Sequence, residues 1–295
     1  VILAGGLLAA LAAGAGPGAP VLAGDVLDLP VKQFHSYEPA PRAYQKAAEG
    51  RKGWQKDLEQ ARAAWRKGRY VAARKAFERA ARQGSLVATW YLGHIYRLGR
   101  GARRDDMQAF RYYRKVALAY DAEETNRMRL MMTVDALVRV ADYYRTGIGR
   151  RKLKRDPRRA FRLYNIAAGH GHPAAFYGLG LLALRGEGMR RRPRRALGWL
   201  MKAARLDYAP AAILLGDLAR KGLKGYIRKD GVAALSWYLI AARLTTPDQD
   251  PRLFRRIEAL TARLDEKKRS RAETLARQFV VASRKSRKQA LNTRN

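Results

Sequence analysis

From Ser85 to Leu244, apolar and small residues return at helical spacing in paired stripes, each pair divided by glycines and a basic tract. Four blocks align on those glycines, beginning at Ser85, Val134, Pro173 and Ala209. The first stripe carries Leu92-Gly93, Leu179-Gly180 and Leu215-Gly216, with Val140-Ala141 in the second block. A Gly-x-Gly turn follows at Gly99-Gly101, Gly147-Gly149 and Gly186-Gly188, stretched to Gly222 and Gly225 in the fourth block. The second stripe then advances in four-residue steps: Ala109, Tyr113 and Ala117; Ala160, Tyr164 and Ala168; Ala196, Leu200 and Ala204; Ala234, Tyr238 and Ala242. Asp105, Asp156 and Asp230 stand four residues before the first alanine of three of these stripes.

This spacing predicts two helices per block. A glycine inside the first stripe lets the second helix approach closely, and the Gly-x-Gly supplies the conformations that end one helix and reverse the chain. The Asp is placed to cap the second helix, and Pro157 after Asp156 fits the first turn. A hairpin with so thin a packing face cannot bury it alone, so neighbouring hairpins must stack. The stretch 54–84 reads as a degenerate first hairpin with a shorter turn. Beyond the Pro/Asp linker after Leu244, Leu253, Ile257, Leu260 and Leu264 recur at helical spacing, which predicts a helical cap over 252–284. The tail 285–295 has too little apolar content to pack and is expected to be disordered.

The amino-terminal pattern differs. Residues 1–13 form an uncharged apolar run too short to span a bilayer, and Val21-Leu22-Ala23 precedes Gly24-Asp25 as a signal peptidase would require. Residues 1–23 are therefore expected to be a signal peptide without its charged leader segment, and 24–53 a linker. The mature chain is expected in the periplasm without stable membrane insertion.

Composition narrows the chemistry. There is no Cys, which excludes disulfides, Cys-ligated zinc and a thiol nucleophile. Lys and Arg number 61 against 25 Asp and Glu, for a net charge of +36. The charge is diffuse along the chain, so it reads as a solvated surface with a GC-rich codon bias, or as attraction to a polyanion. The aromatics fall on core positions rather than on one basic face, which argues against a nucleic-acid partner. His170-Gly-His172 offers two ligands with no third nearby, so no metal is expected. No acid pair or nucleophile motif appears, and no cofactor or enzymatic activity is expected.

The frame of Leu-Gly, Gly-x-Gly, Asp and Ala-Tyr-Ala resembles the Sel1-like repeat, a relative of the tetratricopeptide repeat. The insertion DAEETNRMRLMMT before Val134, ALVRVADYYRTGI, the turn RRKLKRDP and WYLGHIYRLGRGARRDDMQAFRYYRKVA are similar to ExoR-type periplasmic regulators of exopolysaccharide synthesis in rhizobia and their relatives. The high basicity departs from that family. The resemblance implies an all-α fold, a right-handed α-solenoid of stacked helix-turn-helix repeats over 85–244 with a C-terminal cap. It implies a protein partner, the periplasmic sensing domain of a membrane histidine kinase, held inactive. The first helices of such stacks line a groove, and in register they place there His94, Arg97, Asp142, Arg145, Arg185, Asp217, Arg220 and Lys221. These read as an Arg ladder for a partner's carboxylates, or as solvated helix ends. The alternatives are a binding module for acidic polysaccharide or cell-wall polymer, which the positive charge would serve, and a generic envelope scaffold.

Overall fold

The computed structural model describes residues 53–149 and 152–292, so the expected signal peptide and nearly all of the linker lie outside the described residues. The described residues form twelve helices and no strand, with two isolated bridges. They divide into two units, 53–172 and 173–292. The first unit contains α1 (Gly53–Arg66), α2 (Tyr70–Arg82), α3 (Leu86–Leu98), α4 (Asp106–Ala117), α5 (Arg127–Thr146) and α6 (Pro157–Gly169). The second contains α7 (Pro173–Arg185), α8 (Pro193–Arg205), α9 (Ala209–Lys221), α10 (Gly231–Ala242), α11 (Pro251–Thr261) and α12 (Glu266–Asn292). Helices pair into five hairpins. Within the first unit α2 packs on α3 and α4 on α5; within the second α8 packs on α9.

Each hairpin forms for the reasons its sequence supplies. In α4, α6 and α10 the carboxylates of Asp105, Asp156 and Asp230 accept backbone N–H groups of the first turn, relieving donors that no helix carbonyl can reach. The same cap residue closes the turn through its own N–H. Asp105 donates to the Tyr96 carbonyl at 2.9 Å, Asp156 to Tyr144 at 2.7 Å and Asp230 to Ala219 at 2.9 Å. Repeat 3 has Arg192 at this position. Its N–H makes the equivalent bond to Ala183 at 2.9 Å, but no side chain caps α8.

Close approach is the second device. A Cβ on Gly93 would stand 2.7 Å from the Tyr113 ring, and one on Gly216 would stand 2.5 Å from the Tyr238 ring. Neither leaves room for a methyl group, so glycine at these positions brings the paired helix into contact. Tyr113, Tyr164, Leu200 and Tyr238 are all fully buried.

The insertion before Val134 extends α5 by two turns at its start. Asn126 caps it, accepting from Arg129 at 3.0 Å, and the added turns leave Met128 and Met131 exposed. The expected terminal cap is two helices rather than one. The chain turns after Thr261, and Asp265 restarts it by accepting the Lys268 N–H at 2.9 Å. α12 then packs on α10, with Phe279 buried edge-on against Trp237 at 4.9 Å. The tail expected to be disordered from residue 285 instead continues α12 to Asn292, and Arg287 pairs with Asp207. Low apolar content was a poor guide here. A helix already held by its packed turns extends through Lys, Arg, Gln and Ala at little cost when no Gly or Pro intervenes.

Candidate partner-binding face

Three of the four first helices, α3, α5 and α9, carry polar residues one and four positions beyond the small residue of the frame (Gly93, Ala141 and Gly216), and the structure shows what those residues touch. In hairpin α5–α6 the Tyr164 hydroxyl donates to Asp142 at 2.6 Å, and Arg145 Nε donates to the same hydroxyl at 3.2 Å. In hairpin α9–α10 the Tyr238 hydroxyl donates to Asp217 at 2.6 Å, and Arg220 lies beside it. In hairpin α3–α4 Arg97 Nε reaches the Tyr113 hydroxyl at 3.4 Å, and Arg97 lies 3.5 Å from His94 Nδ1. The expected ladder is thus a set of lids, each Arg turned onto a buried tyrosine hydroxyl. Burial pushes the hydroxyls of Tyr113 and Tyr238 up to about 12, so they remain donors at any physiological pH.

The structure does not group all the expected residues. Arg185 is exposed, and among the described acids it faces Glu187, at 3.9 Å. Lys221 is exposed at the end of α9. Asp217 is also covered, because Arg256 from α11 lies 3.3 Å from its second oxygen.

A polar cluster in the first unit was not foreseen from the sequence. Asp135 on α5 accepts the Trp90 indole N–H at 2.8 Å and pairs with Arg139 at 3.0 Å. His94 Nε2 and His172 Nε2 stand 3.8 and 3.7 Å from its two oxygens. Burial pushes the Asp135 carboxyl up, but the two histidines, the Arg139 charge and the Trp90 donor outweigh it and hold the group well below the usual carboxylate range. Burial lowers His94 despite the neighbouring carboxylate, with Arg139 and Arg97 acting in the same direction. Nε2 of His94, Nδ1 of His172 and Nε of Arg139 are buried without hydrogen-bond partners among the described residues. The available signal was an Asp inside the apolar run VDALVRVA, one turn before an Arg. His170, by contrast, turns to the Tyr120 hydroxyl at 2.6 Å, so the two histidines of His170-Gly-His172 serve different partners. Among the described residues no three His, Asp or Glu side chains are placed to hold a metal ion.

Helical hairpins closed by a Gly-rich turn, with a small residue under an aromatic of the second helix, define a repeat protein of the tetratricopeptide kind. The Sel1 repeat pattern matches residues 86–121, 134–172, 173–208 and 209–245, half of the chain, and the chain belongs to the Sel1 repeat family. It is 30% identical over 159 residues to an exopolysaccharide production negative regulator of Rhizobium leguminosarum bv. viciae, and 31% identical over 159 residues to one of Rhizobium meliloti. Each match covers 52% of this chain and 58% of the relative, so the chain spans little more than half the length of the relatives it matches. A crystal structure of a Sel1 repeat protein from Oxalobacter formigenes is similar at 27% identity and a TM-score of 0.49, over 70% of this chain and 78% of that one.

Proposed function

We propose that this chain is an exported protein-binding regulator that restrains exopolysaccharide production by holding the sensing domain of a membrane histidine kinase inactive. The observation that carries the reading is the run of four Sel1 repeats shared with two relatives named exopolysaccharide production negative regulators. The fold supports a role in binding rather than catalysis, because repeated helical hairpins of this kind present extended surfaces to partners. The apolar run 1–13 and the small-residue pattern at Val21–Ala23 support export.

The test is co-purification of the tagged chain from envelope extract, followed by titration with the isolated kinase sensing domain. The expected result is a one-to-one complex that loses at least tenfold in affinity on charge reversal at Arg97, Arg145 and Arg220. Because these Arg residues also touch tyrosine hydroxyls, the milder Arg→Gln set is measured alongside, with helicity monitored. Unchanged affinity in both sets removes the first-helix face from the reading. Absence of any kinase domain from the captured proteins removes the kinase.

A further inference from the structure

The hairpin tips of the second unit carry a surface that the protein-binding reading does not use. α8 begins and α9 ends at the tip of its hairpin, and the two helices pack together, so the turns 186–192 and 222–230 lie at the same end of the unit. Arg190, Arg192 and Arg194 at the first turn and Lys224, Arg228 and Lys229 at the second are all exposed. None of the six makes an ion pair with a described acidic residue. The acids nearby are engaged elsewhere: Glu187 faces Arg185, Asp230 caps α10, and Asp265 holds Lys268 at 2.6 Å. Arg192 further replaces the capping Asp of the other three repeats, which removes one more negative charge from this tip. Arg191 is excluded from the set, because its Nε is fixed to the Leu184 carbonyl at 3.1 Å.

Among these basic side chains stands Tyr226, 41% exposed, on a turn pinned by the Leu223–Ile227 bridge. It is the one exposed Phe, Tyr or Trp ring among the described residues. A row of like charges with no internal counter-charge fits a partner whose negative charges recur along its length. Guanidinium groups suit carboxylates in particular, pairing with them through two parallel N–H donors. A single ring does not supply the successive stacking platforms that a single-stranded nucleic acid uses.

We propose that this surface binds an acidic polysaccharide, its carboxylates paired with Arg190, Arg192, Arg194, Lys224, Arg228 and Lys229 and one sugar ring lying on Tyr226. The basic surface stands on its own; the choice of a carbohydrate polymer rests on the proposed role in exopolysaccharide control.

Oligogalacturonate, with one carboxylate per ring, is titrated into the whole chain at fixed ionic strength, beside dextran and inorganic polyphosphate. The expected result is binding of oligogalacturonate and none of dextran. Substituting Arg190→Ser, Arg192→Ser and Arg194→Ser together lowers affinity roughly tenfold, given the modest worth of each exposed charge pair. Substituting Lys67→Ser, Arg69→Ser and Arg82→Ser removes the same charge from the first unit and leaves affinity within about twofold. Tyr226→Ala weakens oligogalacturonate by about threefold and leaves polyphosphate unchanged. All these side chains are exposed, so helical circular dichroism is unaltered throughout. Equal losses in the two triple variants overturn the proposal in favour of a diffuse field. Equal binding of polyphosphate with no effect of Tyr226→Ala overturns the carbohydrate assignment. A chain that binds oligogalacturonate here but no kinase domain upholds this inference and removes the kinase, whereas the reverse result removes this inference alone.

Discussion

Hairpins α5–α6 and α7–α8 obey the same frame and hold opposite contents. In the first, Tyr164 brings a hydroxyl to the packed face and Asp142 and Arg145 enclose it. In the second, Leu200 takes the place of Tyr164, Leu181 and Leu184 take those of Asp142 and Arg145, and these positions offer no side-chain hydrogen bond. Yet both hairpins bury the second-helix position completely, and both close the turn with the same backbone bond, Asp156 to Tyr144 and Arg192 to Ala183. Small residues and the turn bond therefore carry the fold, while the polar residues above the tyrosine can change without loss of the hairpin. The basic tract divides in the same way. Arg155 and Arg191, each one residue before the cap position, donate to the carbonyls of Arg145 and Leu184, at 2.9 and 3.1 Å, whereas Arg190, Arg192 and Arg194 face solvent.

This contrast can be broken by substitution. The largest effect is expected at Asp135, where Asp135→Ala strands the Arg139 charge and the Trp90 indole in a buried site and costs about 3 kcal/mol or more. Urea unfolding followed by tryptophan fluorescence measures it, and a cost below about 1 kcal/mol would show that the cluster is not a structural centre. Next, Gly216→Val drives side-chain atoms into the Tyr238 ring and is expected to cost about 2–3 kcal/mol. Gly198→Ala in α8, where a Cβ meets nothing within 4 Å, should instead stabilise by about 0.5–1 kcal/mol. The pair separates close approach from helix propensity.

Smaller effects sharpen the comparison between repeats. Tyr164→Phe removes a hydroxyl bonded to a carboxylate and is expected to cost about 1.5 kcal/mol. Tyr113→Phe loses only the 3.4 Å contact with Arg97 and should cost less; equal costs would deny the carboxylate its part. Arg192→Asp restores the cap missing from repeat 3 and should add about 1 kcal/mol. The smallest effect is expected from pH near neutrality. The folded state holds His94 below its ordinary value, so the neutral ring favours the fold above about pH 6.5 and that contribution is lost as pH falls toward the folded value. Asp135, also held low, contributes above about pH 4 and loses its part only at still lower pH. Melting temperature should decline on acidification below pH 6.5, and His94→Gln should flatten that decline. An identical slope in the variant would assign the effect to another group.

The helices, their pairing and the caps could be read from the amino-acid order because they depend on contacts within about four residues or across one turn. Gly93 and Gly216, Asp105, Asp156 and Asp230, and the Ala-Tyr-Ala stripes all act at that range. What the polar row does could not be read in this way. Periodicity placed Arg97, Arg145 and Arg220 on one side of their helices, but it does not say whether a guanidinium turns outward or onto a tyrosine hydroxyl. The Asp135 cluster is not legible in the sequence because, apart from Arg139 on the same helix, its partners Trp90, His94 and His172 lie far from it along the chain and meet it only when α5 packs against its neighbours. The end of α12 depended on packing too, since its last turns extend from a helix that α10 holds in place. Local order therefore determined the hairpins, and tertiary contact decided which of their charges are engaged inside the fold and which remain on its surface.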